Sequence, residues 1–157
     1  MTAAATVTRA LAIAAAAAAL AGCDDYLPDV GPPLTGGCQS DDSNPEVDVS
    51  FARDLRPLFD RPRSMAGCGC HTPTNGSPSG IELSGFNMGS LQAIRQGGVT
   101  SGAAIIKPGD PCGSVLVQKM GDTPPFGARM PLDGAPFFSD EELQLLHDWI
   151  AEGARDN

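Results

Sequence analysis

Aromatic side chains, basic side chains and long apolar runs are all scarce in this 157-residue chain. There are six Phe, one Tyr and one Trp, so few large side chains are available to fill a core. Lys and Arg number 10 against 19 Asp and Glu, a formal charge of −9. That balance makes nucleic acid and anionic lipid headgroups poor partners. The longest apolar run, residues 10–21, is too short to span a bilayer. No nucleophile, base and orienter occur in an arrangement that would mark a catalytic triad, no glycine-rich loop opens a helix to cradle phosphate, and no zinc-ligand spacing is present. There is no internal repeat. The expectation is a protein that is not an enzyme.

Glycine (19), proline (14) and cysteine (5) are plentiful. The first 22 residues carry one charge, Arg9, then an Ala/Leu/Ile run that ends in Leu20, Ala21, Gly22 and Cys23. That is the pattern of a secretory leader. Its last four residues resemble a bacterial lipobox, in which cleavage before Cys23 exposes a thiol for lipidation. The expected mature chain then begins at Cys23, on the extracytoplasmic side of a bacterial membrane and held there by its lipid anchor. Loss of Arg9, with no acid lost, takes the formal charge from −9 to −10. Residues 23–48 are rich in Pro, Gly and Asp, hold no Lys or Arg and lack periodicity, which predicts a flexible acidic tether. The folded domain is expected over residues 49–157.

Within that domain Ser50 is placed to cap a helix whose Phe51, Leu55, Leu58 and Phe59 form one stripe, with Pro57 bound to kink or split it. "GIELSGF" suggests a short extended piece. "SLQAIRQGG" suggests a short helix closed by glycine. Asp110 before Pro111 signals a helix start. A long loop over residues 121–138 follows, and loops of this length are usually functional or packed on something that orders them. The last element is the clearest: Ser139 and Glu142 form a capping box ahead of Leu143, Leu145, Leu146, Trp149 and Ile150. The plan is mainly α, three to four short helices with long loops. It buries little by itself, so a cofactor or disulfides are expected to complete the core.

The chemistry concentrates in "AGCGCHT", residues 66–72. A haem of the c type is attached at C-x-x-C-H, two thiols and an adjacent imidazole; here the gap is one residue short. Two positions along a helix turn through about 200°, so Cys68 and Cys70 cannot both reach one ring edge from a regular turn. "FARDLRPLF", the Cys-His site, "GIELS", "KPGDPCGSVLVQKM", "ARMP" and "FSDEELQLLHDWIAEGA", in that order, resemble a class I cytochrome c-like domain of the single-haem, extracytoplasmic bacterial type over residues 51–154. The resemblance implies helices around one haem and electron transfer as the task. It implies His71 as the proximal ligand, Cys70 as a thioether link and Met130, in Arg129-Met130-Pro131, as the distal ligand. Gly67 stands where the family has its first cysteine.

Three readings of the site stay open. In the first, Cys70 alone binds haem c through a single thioether, with Cys68 also at the cofactor and free to pair with Cys112, which leaves Cys38 unpaired. In the second, haem is lost and Cys38, Cys68, Cys70 and Cys112 form two disulfides in a structural or interaction module. In the third, Cys68, Cys70 and His71, with Met65 or Met88, bind a soft metal such as Cu(I). The expected partner is a redox protein with a basic surface. His147 is expected at the surface, Met88 and Met120 in the packing, Trp149 in the core, and Arg129 either on a haem propionate or in solvent.

Overall fold

The computed structural model describes residues 38–73 and 78–157; the leader, Cys23 and the first part of the tether lie outside them. The described residues are helical, with no strand among them. The α-helices are α1 (Arg56–Phe59), α2 (Ser79–Ser84), α3 (Leu91–Gln96), α4 (Val115–Met120) and α5 (Asp140–Ala151). A π-helical turn, Phe51–Leu55, leads into α1, and 3-10 turns occur at Arg63–Met65, Gly69–His71 and Gly102–Ile105. Five short helices stand where three or four were expected.

Local chemistry explains most boundaries. The Ser50 hydroxyl accepts from the Arg53 amide at 3.1 Å, and the ladder then changes from π to α register just before Pro57, which has no amide to donate. The Ser90 hydroxyl caps α3 through the Ala93 amide, and Gly97 ends it at φ +70°. Both bonds of the Ser139–Glu142 capping box form, at 3.2 and 3.0 Å. Two expectations fail. "GIELS" is the helix α2, closed by left-handed Gly85. Asp110 caps a single turn, accepting from the Gly113 amide at 2.8 Å, and α4 starts only at Val115. Ser114 precedes α4, but its hydroxyl is occupied elsewhere, accepting from Lys107 N–H and donating to the Asp110 carbonyl.

The core is built where α5 meets α4 and the Phe51–Leu55 turn. Leu55, Phe59, Ile94, Leu146, Trp149 and Ile150 have no exposed surface. The Trp149 ring lies 5.4 Å from Phe51, and its indole N–H donates to the Arg155 carbonyl at 2.8 Å. A substantial apolar core therefore closes from the protein's own side chains.

The tether expectation and the disulfide expectation are both corrected. Cys38, not Cys68, pairs with Cys112, while Cys68 and Cys70 are thiols. Residues 38–48, expected to be flexible, are docked on α5. Asp148 is buried and accepts from the Ser43 amide (2.9 Å), the Ser43 hydroxyl (2.7 Å) and Gln144. The Val49 amide donates to Glu152. This docking also buries His147, whose Nδ1 lies 3.3 Å from the Gln39 carbonyl and whose Nε2 lies 3.9 Å from Cys38 Sγ. A surface histidine was expected because the segment that covers it is 108 residues away in sequence.

The Cys38–Cys112 bond closes a separation of 74 residues. Loop-closure entropy at that length sets an upper limit of about 4.4 kcal/mol, and Cys38→Ser is expected to destabilise by about 2–4 kcal/mol, the typical contribution of a disulfide. Urea unfolding of the variant and the parent under non-reducing conditions checks it, and equal midpoints would show that the clasp contributes nothing.

Candidate functional site

The segment that carries Cys68, Cys70 and His71 is fixed by its backbone. The amides of Gly67, Cys68 and Gly69 donate to the carbonyls of Pro62 (3.1 Å), Phe59 (3.0 Å) and Arg61 (3.2 Å). The chain at Gly67 runs so close to Arg61 that a side chain added there would overlap the Arg61 backbone. A cysteine at the family's first position would not fit without moving it. Next comes the Gly69–His71 turn, with the His71 amide on the Cys68 carbonyl at 2.8 Å.

Beyond this turn lies a cavity of about 240 Å³, open on one side and walled mostly by apolar groups. Cys68, Cys70, His71 and Met130 all border it. The four residues singled out in the sequence, up to 62 positions apart, are therefore brought to one place. Met88 and Met120 also border the cavity but are almost wholly buried, consistent with packing. Leu83, Phe126 and Leu132 border it and are exposed, Leu83 by 84% and Leu132 by 62%. Exposed Met65 and Val99 lie within two residues of bordering positions. Among the described residues, Val47, Met65 and Val99 are the large exposed apolar side chains that do not border the cavity. Contiguous exposed apolar surface marks a place where something binds.

The two thiols differ. Cys68 is buried in the core, and burial pushes its thiol up to about 12, so it stays protonated and unreactive. Cys70 is half-buried at the cavity wall. The His71 Nδ1 lies 3.1 Å from the Phe86 carbonyl, an acceptor, so Nδ1 carries the proton and Nε2 keeps a lone pair for a metal. Gly80 lets the ring sit there, since a Cβ would come within 2.8 Å of it. Burial, opposed by the Phe86 bond, holds the imidazole below its ordinary 6.5.

Met130 sits on the 121–138 loop, which is ordered by protein contacts. The Met130 amide donates to the Lys119 carbonyl at 2.8 Å. Arg129 is buried, neither in solvent nor among the residues that border the cavity; its Nε donates to the Met120 carbonyl at 3.1 Å and its guanidinium lies 3.9 Å over the Phe137 ring. Lys119, which sequence reasoning passed over, borders the cavity. Nothing in its sequence neighbourhood distinguishes it from a surface lysine.

A six-coordinate haem iron takes one imidazole nitrogen and one thioether, and the cavity offers that pair, with a thiol beside the imidazole and apolar walls for a macrocycle. The residues fit the group. The soft-metal set fits less well: among the described residues no three His, Cys, Asp or Glu side chains converge to hold an ion, and Met65 is exposed. No helix among the described residues is long and apolar enough to cross a membrane. Comparison of the chain with protein-family models, curated proteins and solved structures finds no match.

The depressed His71 titration has a definite consequence for stability in ligand-free protein. The unfolded chain takes up a proton near 6.5 and the folded one only lower, so this contribution is full above 6.5 and is lost as pH falls through the folded value. Nuclear magnetic resonance of the ring protons should therefore give His71 a midpoint below 6.5, and His71→Gln should flatten the loss of stability just below that pH. A midpoint at or above 6.5 contradicts the burial argument.

Proposed function

We propose that the protein is a c-type cytochrome lipoprotein that carries electrons, with one haem c in the cavity between His71 and Met130. Cys70 supplies a single thioether, His71 Nε2 the proximal ligand and the Met130 sulfur the distal ligand. Cys68 borders the cofactor but remains a thiol. Cys23 carries the lipid that tethers the domain on the extracytoplasmic side of a bacterial membrane, and the acidic chain meets a redox partner of basic surface.

The observation that carries the reading is the meeting of His71 and Met130 at one apolar cavity, with the His71 Nδ1 committed to a carbonyl. An imidazole held in that tautomer is a built ligand. A surface or core histidine does not need a thioether and a thiol around the same void. The haem supplies the one-electron couple. What the chain supplies is orientation, a thioether that favours the reduced iron, and walls that keep water away. The haem-free module is supported by the core and by the Cys38–Cys112 clasp, but its two-disulfide form is not, because Cys68 and Cys70 are thiols.

The test is a visible spectrum with intact mass under denaturing conditions, on protein made in a host that attaches haem. A Soret band and a retained haem mass are expected. Cys70→Ala and His71→Ala should abolish attachment, Cys68→Ala should keep it, and Met130→Ala should keep the haem but lower its potential or make it high-spin. Colourless protein at the apo mass, less two hydrogens, rejects the cytochrome reading in favour of the haem-free module.

A further inference from the structure

We infer that Lys119 is the positioning residue for Met130: its ammonium and its own carbonyl clamp residues 126–130 so that the thioether faces the cavity. The identity of what Met130 binds rests on the haem reading above; the clamp itself rests on geometry alone.

Helix α4 ends at Met120 and so leaves carbonyls without partners in the helix. The returning loop satisfies the last two. The Met130 amide donates to the Lys119 carbonyl at 2.8 Å, and Arg129 Nε donates to the Met120 carbonyl at 3.1 Å. The Lys119 side chain then reaches into the same loop. Its ammonium donates to the Phe126 carbonyl at 2.7 Å and the Ala128 carbonyl at 2.6 Å, with the Phe126 ring centroid 4.9 Å away.

Gly127, between the two carbonyls, bends the chain at φ +57° where both meet one ammonium. An ammonium suits the task because it offers three donors from a single point, whereas a guanidinium offers a fixed planar fork. Without that cation the two carbonyls would stand at the edge of an apolar mouth with no protein donor in place. Met130 would then be held to α4 by its own amide and by Arg129 alone, with the bend before it loose. The Arg129 contact holds only the residue next to Met130 and leaves the Phe126–Ala128 bend to the ammonium.

Hydrogen exchange of the full chain, followed peptide by peptide, tests the clamp. Lys119→Met should speed exchange over residues 126–130 at least tenfold and leave α5 unchanged; Lys107→Met, which removes an exposed lysine, should leave both unchanged. Gly127→Ala, strained at that φ, should loosen the same residues with Lys119 intact, so the inference does not depend on one variant folding. Unchanged exchange in both Lys119→Met and Gly127→Ala overturns it. In haem-loaded protein, Lys119→Met should keep the covalent haem, weaken the near-infrared thioether-to-iron band and bind added imidazole at least tenfold more tightly. A full band with unchanged imidazole affinity also overturns it. A wild-type chain without haem rejects the cytochrome reading, and hydrogen exchange then decides the clamp by itself.

Discussion

Three amides in a row, those of Gly67, Cys68 and Gly69, are held by carbonyls of Phe59, Arg61 and Pro62, and the directions of the Cys68, Cys70 and His71 side chains depend on them. With the backbone pinned there, Cys68 has no choice but to enter the core. The following 3-10 turn carries Cys70 and His71 to the cavity wall. A 3-10 helix advances about 120° per residue, so thiols two positions apart diverge and acquire different environments. One becomes a buried, protonated packing group and the other a half-exposed one at the wall. The short spacing is thus a division of labour, fixed by backbone hydrogen bonds before any cofactor is considered.

The same economy runs through the domain. With eight aromatics and many glycines, a core of adequate size depended, on sequence grounds, on a cofactor or on two disulfides. The chain solves the problem with one disulfide and with loops fastened to helix ends. Residues 38–49 lie along α5, with the Ser43 hydroxyl and amide on Asp148 and the Val49 amide on Glu152, and Cys38 locks them to Cys112. Arg61 joins α5 to the site segment through Glu142 at 2.7 Å. That carboxylate also completes the capping box, and the Arg61 guanidinium holds it below the ordinary carboxylate range. Because the core closes this way, the cavity is a space the fold leaves open rather than one it needs filled.

What could be read from sequence was local. Ser50, Ser90 and the Ser139–Glu142 box cap their helices through neighbours three residues away, and spacing reveals such bonds. Asp110 gave the right kind of signal at the wrong scale, a capped turn in place of a capped helix, because the competing hydroxyl of Ser114 is tied to Lys107 and Asp110. The clasp was illegible for a different reason. Cys38, Cys68, Cys70 and Cys112 can pair in several ways, and only the path of the chain decides that Cys38 reaches Cys112. His147 and Arg129 were misjudged for the same cause: what covers each is set by tertiary packing.

The site divides along the same line. Cys70, His71 and Met130 were legible because order along the chain resembled a family; their convergence on one cavity required the fold. The residue nothing pointed to is Lys119, and its case shows why loops are hard to read. A long loop after a helix can be ordered by a ligand at its tip or by the helix that precedes it, and sequence favours the first because the tip residue is distinctive. Here α4 does the ordering, through two carbonyls that every helix end possesses and one ammonium that looks like any other. A methionine presented in advance loses less freedom on binding iron than one that must be captured from a mobile loop. Under the proposed haem reading, the contacts that fix the loop to α4 would therefore also tighten the distal bond.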